Sequence, residues 1–316
     1  MQSHALLFCP SDYATANLTM THTSPPLAIT IGVLALQGAF SEHIQLLRFA
    51  ASSPSLSPLT SNIQWSFIEV RTPSELDRCD ALILPGGEST TISLVAERSG
   101  MLEPLRSFVK EIRKPVWGTC AGLILLSESA NKISEKKGGQ ELIGGLDVRV
   151  NRNYFGRQVE SFEAELELPF LPNDDKGRGK FRSVFIRAPI VEAILPHTSG
   201  PQTEQASPST VIAPSKTPST AAAKANMSAQ VEVLGRLPGR ARALNEKGVL
   251  ARDVGEEGDI VAVRQGNVFG TSFHPELTGD ERIHVWWVGE VVKSVRARRE
   301  KEGSAVVGQE MPLTVS

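Results

Sequence analysis

A cysteine lies between two glycines where an apolar strand is expected to run into an apolar helix. The pentapeptide Gly118-Thr119-Cys120-Ala121-Gly122 follows the buried run PVW. This is the glycine–x–nucleophile–x–glycine pattern of a nucleophile elbow, with cysteine in place of serine. The turn is so sharp that side chains at the two glycine positions would clash with the sheet. It would set the thiol at a helix N-terminus, which favours thiolate. The residues alone also allow a small buried cysteine beside a tight turn.

A histidine and a carboxylate follow another apolar strand. His274 and Glu276 flank Pro275 directly after VFGTSF. Residues i and i+2 of an extended chain point to the same side, so the imidazole and the carboxylate should share one side. They are the base and the orienting group of a nucleophilic triad, in which Glu276 holds the tautomer of His274 while His274 takes the proton of Cys120. Taken alone, the tripeptide is better explained as a turn at a strand end, and the cysteine elbow is what favours the catalytic interpretation.

A double glycine follows a third apolar strand, in the segment Pro85-Gly86-Gly87-Glu88. Two consecutive glycines leave backbone N–H groups free to face a ligand, as in an oxyanion hole. Glu88 and the hydroxyl residues after it also suit a helix N-terminus as caps, which is the alternative interpretation.

Strands and helices alternate along most of the chain, and this alternation predicts the scaffold. Continuous β-branched and aliphatic runs such as AITIGVLAL are typical of strands buried on both faces of a parallel sheet. Helical spacing follows in AFSEHIQLLRFA, STTISLVAER and AGLILLSES. We therefore predict an α/β fold, a flavodoxin-like three-layer sandwich with a central, mostly parallel sheet. The segment IVAVRQGNVFGTSF predicts a hairpin, and ERIHVWWVGEVVKSVRARREKE predicts an amphipathic helix.

Composition along the chain predicts its domain organisation. Residues 1–27 are interpreted as a disordered N-terminal extension, residues 28–299 as a single domain and residues 300–316 as a C-terminal tail. Ser, Thr, Pro and Ala dominate residues 197–228. We predict a disordered insertion there, because such a segment cannot bury enough apolar surface to order itself. A shorter polar insertion is predicted near residues 52–61.

Overall composition excludes several classes of function. The 316 residues carry 33 Lys and Arg against 35 Asp and Glu, so the net charge of −2 gives no broad electrostatic footprint for nucleic acid or an anionic membrane. No apolar run is long enough to span a bilayer. Three scattered cysteines favour a reducing compartment, which predicts a cytoplasmic location. No metal and no cofactor is predicted, because His and Cys lack metal-ligand spacing and no glycine-rich nucleotide loop is present.

Six ordered sequence blocks resemble a known family. They are GVLALQGAFSEH (32–43), LPGGESTT (84–91), GTCAGLILL (118–126), NYFGRQVESFEAEL (153–166), FIRAP (185–189) and GTSFHPELTGD (270–280). Together they resemble the class I glutamine amidotransferases, and most closely the glutaminase subunits of pyridoxal 5′-phosphate synthase, the PdxT/SNO family. The resemblance implies a class I glutamine amidotransferase-like fold.

The resemblance also implies the chemistry. Cys120 would attack the side-chain amide of L-glutamine, with His274 moving protons and Glu276 orienting it. The family pattern gives two further sets of residues: backbone donors at Gly86, Gly87 and Ala121 for the oxyanion, and Gly86, Gly87, Glu88, Arg152, Ile186 and Arg187 for glutamine. An arginine fork suits an α-carboxylate, and Glu88 could meet the α-ammonium. Surface ion pairs are the alternative for the two arginines.

A partner is implied as well. Ammonia released to neutral water is protonated and stops being a nucleophile, so the glutaminase is expected to dock on a (β/α)₈-barrel synthase that makes pyridoxal 5′-phosphate, in a large hetero-oligomer. His43 is interpreted as structural or partner-facing. The alternatives are a class I glutaminase serving a different acceptor enzyme, a cysteine hydrolase or peptidase, and a catalytically silent scaffold.

Overall fold

The structure of the protein is a computed structural model. It describes residues 26–132, 140–152, 161–171, 177, 179–238 and 258–307. Most of the predicted N-terminal extension lies outside the described residues, and Leu27 already begins the first strand. Residues 153–160, the first part of the NYFGRQVESFEAEL block, also lie outside them.

Helices and strands alternate through the first half of the chain. The helices are α1 Phe40–Ala51, α2 Ser57–Thr60, α3 Pro73–Asp77, α4 Ser89–Arg98, α5 Leu102–Arg106, α6 Ala121–Leu126, α7 Ala221–Met227 and α8 Arg282–Val307. The strands are β1 Leu27–Leu34, β2 Ile63–Val70, β3 Ala81–Leu84, β4 Val116–Thr119, β5 Ser127–Asn131, β6 Leu146–Asn151, β7 Ser161–Leu166, β8 Phe181–Ile186, β9 Ile190–Ile194, β10 Thr210–Ile212, β11 Val231–Leu237, β12 Asp259–Gln265 and β13 Val268–Thr271. Short 3₁₀ turns cover Pro54–Leu56, Thr203–Gln205 and Pro275–Leu277, and a π-helical turn, Ser107–Glu111, continues α5.

One large sheet organises the described residues. Its strands follow the order β10-β5-β6-β9-β12-β13-β4-β3-β1-β2, with β11 paired to β12, while β7 and β8 form a separate pair. The run β13-β4-β3-β1-β2 is parallel throughout. The strands of the other half pair mainly antiparallel, and β12 and β13 form the predicted hairpin. The predicted α/β class is confirmed, and its parallel pairing is concentrated in the half that carries the chemical motifs.

Alternating side chains of the parallel strands supply the cores of two layers. Ile31 and Ile83 belong to the apolar cluster that includes residues of α1 and α8, on one face of the sheet. Leu82 and Leu84 belong to the cluster that includes α4, α5 and α6, on the other face. A strand with both faces covered needs apolar residues at every position, which explains the unbroken apolar runs.

The carboxyl ends of the parallel strands position the motifs. In register, Leu84 of β3 lies beside Gly118 of β4, and Thr119 lies beside Thr271 of β13. The double glycine, the cysteine elbow and the His-Pro-Glu segment follow directly after these three strands. They therefore meet at one edge of the sheet, where open α/β folds place their ligands.

Residues 197–228 are ordered, so the prediction of a disordered insertion is wrong. They contain the 3₁₀ turn Thr203–Gln205, strand β10 and helix α7, and β10 extends the sheet by pairing with β5. The shorter polar insertion near residues 52–61 also folds into helical turns. Its Leu56 is buried in the same apolar cluster as α8.

A buried polar network explains why residues 197–228 are ordered. Lys110 is 2% exposed and donates to Glu128 at 2.9 Å and to the carbonyl oxygen of Pro214 at 2.7 Å. Gln265 donates to the carbonyl oxygen of Met227 at 2.8 Å. Composition predicts order only through apolar burial, whereas this segment docks because its carbonyl groups satisfy buried donors of the domain.

The last helix and the segment after the elbow also differ from the predictions. Helix α8 continues to Val307, so residues 300–307 are helical where a tail is predicted, and residues 308–316 lie outside the described residues. The helix predicted over AGLILLSES ends at Leu126, and β5 follows at once. Among the described residues, no helix combines the length and apolar character that crossing a bilayer requires.

The Lys110–Glu128 pair predicts a stability difference. In Lys110→Ala a buried carboxylate loses its cation, so we expect the free energy of unfolding to fall by about 3–5 kcal/mol. Lys216→Ala is the matched control, because Lys216 forms partly exposed ion pairs with Glu103 and Glu111 and its loss should cost less than about 1 kcal/mol. Urea denaturation followed by circular dichroism measures both. Equal losses in the two variants would contradict this account of the network.

Candidate active site

Cys120 occupies a strained turn between β4 and α6. Its backbone has φ +47° and ψ −100°, a conformation that costs a non-glycine residue about 1–3 kcal/mol. The Cys120 N–H donates to the carbonyl oxygen of Thr271 at 2.7 Å, which ties the turn to β13. The side chain sits at the N-terminus of α6 and Cys120 is 5% exposed.

The two glycines of the elbow are required by close packing. A Cβ on Gly118 would overlap the backbone of Gly122, and a Cβ on Gly122 would overlap the carbonyl group of Leu84. The predicted clash with the sheet is confirmed for Gly122, whereas a side chain at Gly118 would meet helix α6 instead. The contact seats the first turn of α6 directly against β3, and so fixes where Cys120 projects.

His274 lies between Cys120 and Glu276. Its backbone N–H donates to the carbonyl oxygen of Val184 at 2.8 Å, and the 3₁₀ turn Pro275–Leu277 follows. The His274 Nδ1 and the Glu276 Oε1 are 2.7 Å apart. The Cys120 side chain lies near enough to the ring to raise the pKa of His274. The structure therefore brings the three side chains of the predicted triad together in one series, with His274 hydrogen-bonded to Glu276.

The charges of this series are set by mutual contact. Burial alone would lower the pKa of His274, but the nearby Cys120 and the hydrogen bond to Glu276 outweigh it and raise the pKa to about 10. Burial alone would raise the pKa of Glu276, but the hydrogen bond with His274 and the nearby His43 outweigh it and lower the pKa. At neutral pH an imidazolium ion therefore lies between the sulfur atom and an ionised carboxylate.

The double-glycine turn packs directly against the imidazole. A Cβ on Gly86 would lie 2.7 Å from the His274 Nδ1, and one on Gly87 would lie 2.5 Å from the Oε1 of Gln37. That same Oε1 accepts the Glu88 N–H at 2.8 Å. Gly38, at φ +106°, abuts the carbonyl group of Gly86. The end of β1 thus supports the turn that faces the histidine.

Backbone donors of two elements are available at this edge. Ala121 is the first residue of α6, so its N–H has no acceptor within the helix. Gly86 is buried and Gly87 is exposed, so the double-glycine turn lies at the protein surface, where a ligand can reach it.

Glu88 caps helix α4. Its carboxylate accepts the backbone N–H groups of Thr90 at 3.1 Å and Thr91 at 2.6 Å. Burial would raise the pKa of Glu88, but the hydrogen bonds from Thr91 and Thr90 outweigh it and lower the pKa. The capping role foreseen for Glu88 is thus present, and the side chain stays exposed and charged.

Arg152 lies buried in this region with unused donors. It is 4% exposed, and its Nη1 donates to the Oε1 of Gln140. Its Nε and Nη2 have no hydrogen-bond partner among the described residues. Burial lowers the pKa of Arg152 to about 10, although the charge of Glu88 opposes this. Gln140 also accepts from the hydroxyl of Ser89 at 3.1 Å, and nothing in its sequence neighbourhood pointed to this role.

Ile186 and Arg187 close another side of the cysteine. The carbonyl oxygen of Ile186 lies 3.9 Å from the Cys120 Sγ. Arg187 follows in a left-handed conformation, φ +46°, and is exposed. The FIRAP block is therefore brought to the same edge as the triad.

Two buried histidines behind the triad were not foreseen as part of the site. His43 is fully buried, and its Nε2 lies 3.4 Å from the Glu276 Oε2, so it does not face a partner. The His43 Nδ1 is 3.0 Å from the Nε2 of His284, which is also fully buried. Elsewhere, the described residues contain no group of three or more His, Cys, Asp or Glu arranged to hold a metal ion.

The charged series predicts the reactivity of the thiol. Because the protonated His274 lies beside Cys120, iodoacetamide should already alkylate Cys120 readily at about pH 6. In His274→Asn we expect the rate at pH 6 to fall roughly tenfold or more and to rise with pH. Mass spectrometry of the Cys120 peptide measures both.

Cys79 is the internal control. Burial raises the pKa of its thiol to about 12, so it should stay unmodified throughout. Equal rates of Cys120 alkylation at pH 6 in the wild type and in His274→Asn would refute the prediction.

Comparison with known proteins places this geometry in a family. The sequence profile of the SNO glutamine amidotransferase family matches residues 33–217 and 220–293. The probable pyridoxal 5′-phosphate synthase subunit PDX2 of Arabidopsis thaliana is 40% identical over 260 residues, 82% of this chain and 85% of that protein. The pyridoxal 5′-phosphate synthase subunit PdxT of Streptomyces avermitilis is 41% identical over 272 residues, 86% of this chain and 96% of that protein.

A solved structure agrees with the sequence comparison. A crystal structure of a glutamine amidotransferase aligns with a TM-score of 0.51 and 34% identity, covering 83% of this chain and 98% of that one. The family resemblance expected from the six sequence blocks is thereby confirmed. The chain belongs to the SNO glutamine amidotransferase family.

Proposed function

We propose that the protein hydrolyses L-glutamine to glutamate and ammonia through Cys120, His274 and Glu276. The observation that carries the proposal is the meeting of these three side chains at a nucleophile elbow, with His274 hydrogen-bonded to Glu276 and under the influence of Cys120, in a chain of the glutamine amidotransferase family. A thiolate paired with an imidazolium has both the nucleophile and the acid that amide cleavage needs.

The reaction follows from the positions of the protons. The Cys120 Sγ attacks the side-chain amide carbon of glutamine, and the carbonyl oxygen becomes an oxyanion. His274 gives its proton to the amide nitrogen, the C–N bond breaks, and ammonia leaves behind a γ-glutamyl thioester. The neutral imidazole then takes a proton from an attacking water, the C–S bond breaks, and glutamate, thiolate and imidazolium are restored. Glu276 stabilises the imidazolium form at the start and the end of the cycle.

Backbone donors would stabilise the oxyanion. The Ala121 N–H lies next to the nucleophile and benefits from the positive end of α6. The turn at Gly86 and Gly87 supplies the second group of backbone donors. It packs against the imidazole of His274, and so lies close to the amide group that Cys120 attacks in this proposal.

Buried, unused donors support the binding of the substrate's amino-acid end. The Nε and Nη2 of Arg152, which have no hydrogen-bond partner within the part of the chain that the structure describes, form one edge of a guanidinium fork that matches an α-carboxylate. Glu88, exposed and charged, supplies an anion for the α-ammonium. Ile186, whose carbonyl oxygen lies 3.9 Å from the Cys120 Sγ, and the exposed Arg187 complete the glutamine site in this proposal.

The ammonia is proposed to pass to a partner synthase. Two relatives are named as subunits of pyridoxal 5′-phosphate synthase, and on this basis we assign the protein to the same assembly, docked on a (β/α)₈-barrel subunit. Free ammonia would be protonated in neutral water and could no longer act as a nucleophile. Direct release into the partner keeps the ammonia unprotonated. We place this reaction in the cytoplasm, as the sparse cysteines favour.

Glutamate release from L-glutamine tests the proposal. The purified chain is assayed alone, with a pyridoxal 5′-phosphate synthase barrel subunit, and as Cys120→Ala. We expect turnover that the partner stimulates and that the variant loses. Turnover that needs Cys120 but ignores the partner would assign the glutaminase to another acceptor, and cleavage of peptide esters without glutamine turnover would indicate a hydrolase. A silent wild-type protein under every condition would overturn the enzymatic proposal.

Arg152 gives a sharper test of substrate recognition. Arg152→Gln removes charge-assisted hydrogen bonds to the α-carboxylate, so the transition state should lose about 2–3 kcal/mol of stabilisation. The kcat/KM for L-glutamine should then fall roughly 30- to 150-fold. Arg149→Gln is the matched control, because Arg149 forms an exposed ion pair with Glu192, and its kcat/KM should stay within about twofold. Steady-state kinetics measure kcat/KM for both variants, and unfolding curves show whether each variant is folded. Equal effects would remove Arg152 from the substrate site.

A further inference from the structure

Two buried histidines stand behind the carboxylate of the proposed triad. His43 comes from α1 and His284 from α8, and neither side chain is exposed. Trp117 packs edge-on against both rings, with centroid distances of 5.7 Å to His43 and 4.8 Å to His284. A histidine pair enclosed in this way is held in one orientation.

The carboxylate of Glu276 has one oxygen that the triad does not use. Its Oε1 is taken by His274, whereas its Oε2 is buried and has no formed hydrogen bond among the described residues. The group facing that oxygen is the His43 Nε2, at 3.4 Å. This is longer than a formed hydrogen bond, and catalytic hydrogen bonds commonly tighten in the substrate complex. The same Nε2 lies 3.4 Å from the hydroxyl oxygen of Thr119, next to the nucleophile.

The contacts determine where the protons of the pair lie. An ionised carboxylate only accepts hydrogen bonds, so a proton on the His43 Nε2 makes the contact with Glu276 attractive, and the Thr119 hydroxyl oxygen can accept from the same N–H. Burial lowers the pKa of His43, although Glu276 and the more distant Glu42 oppose this, so the ring is neutral and its Nδ1 is an acceptor. The donor to that Nδ1 is then the His284 Nε2, at 3.0 Å. Burial and the neighbouring His43 hold the pKa of His284 well below its usual value, so it too is neutral.

A single direction of hydrogen bonding results. It runs from His284 to His43, and from His43 to the free oxygen of Glu276, whose other oxygen accepts from His274. The reverse direction would aim the lone pair of the His43 Nε2 at a carboxylate, which is repulsive. His284 therefore fixes the tautomer of His43, as a third group fixes the base in a nucleophilic triad.

We propose that His43 is a positioning residue that holds the second oxygen of Glu276, and that His284 locks its tautomer, so that the carboxylate stays aligned with His274 during turnover. The inference rests on the proposed glutaminase function. A carboxylate held through one oxygen can rotate about its last bond, whereas one held at both oxygens cannot. The effect should fall on the chemical step and leave substrate binding unchanged.

Two substitutions of His43 separate positioning from packing. In His43→Gln the amide nitrogen reaches the place of the imidazole Nε2 and can still donate to Glu276. In His43→Asn the amide reaches only the place of Nδ1, and the carboxylate oxygen is left without a donor. We expect kcat for glutamate release to fall roughly tenfold or more in His43→Asn and to stay within about threefold in His43→Gln, with KM for glutamine within about twofold in both.

The pH profile supplies a readout that a packing defect would not give. Activity that needs the imidazolium is lost as pH rises through the pKa of His274, which contact with Glu276 raises. Weaker alignment lowers that pKa, so the alkaline limb of kcat should move to lower pH in His43→Asn and stay in place in His43→Gln. His197→Asn is the control, because His197 pairs with Asp147 and does not contact the triad, and it should leave kcat and the profile unchanged.

The outcomes distinguish the two proposals. A wild-type protein that releases no glutamate with its partner would overturn the proposed function. An active wild type with equal kcat and equal pH profiles in both His43 variants would overturn the positioning role alone.

Should either variant fail to fold, imidazole ¹⁵N chemical shifts of the wild-type protein give the same decision. Neutral rings protonated at Nε2 are expected for His43 and His284, and protonation at Nδ1 in either would refute the assignment.

Discussion

The site depends on backbone segments that approach one another too closely to admit a side chain. Where β3 and β4 end, the first turn of α6 rests on the carbonyl group of Leu84, and only glycine at position 122 allows the contact. Where β1 ends, Gly38 meets the carbonyl group of Gly86 in the same way. These contacts convert the edge of a sheet into a rigid frame. The strained backbone of Cys120 persists because the surrounding structure permits no relaxed alternative.

Sequence reasoning succeeded where the chemistry is local. The elbow, the His-Pro-Glu segment and the double glycine each lie within a few residues, and each follows an apolar strand, so the rule that parallel strands end at one edge was sufficient to bring them together. The partners of His43 could not be foreseen in this way. His284 lies 241 positions further along the chain, and only the packing of α1 against α8 brings the two rings into contact. Gln140 illustrates the same limit, because its amide acts through Ser89 and Arg152, which belong to other elements.

Composition failed for a different physical reason. Residues 197–228 have few large apolar side chains, and a rule based on apolar burial therefore predicts disorder. Their order comes instead from the domain, whose buried Lys110 and Gln265 require acceptors that the segment's carbonyl groups provide. A buried donor without an acceptor is costly, so the segment and the domain stabilise each other. Such complementarity involves backbone atoms, which have no signature in residue type.

The position of α8 determines when the site can come into being. Cys120 lies in the first half of the chain, but its proposed base lies at position 274 and the histidine that contacts His43 lies at position 284, near the end. During synthesis the thiol leaves the ribosome long before either of these residues. The nascent protein therefore carries an unactivated cysteine, and the ability to release ammonia is gained only once the last helix has folded onto the sheet. Assembly of the active centre thus coincides with completion of the domain, so that no partly made chain can waste glutamine.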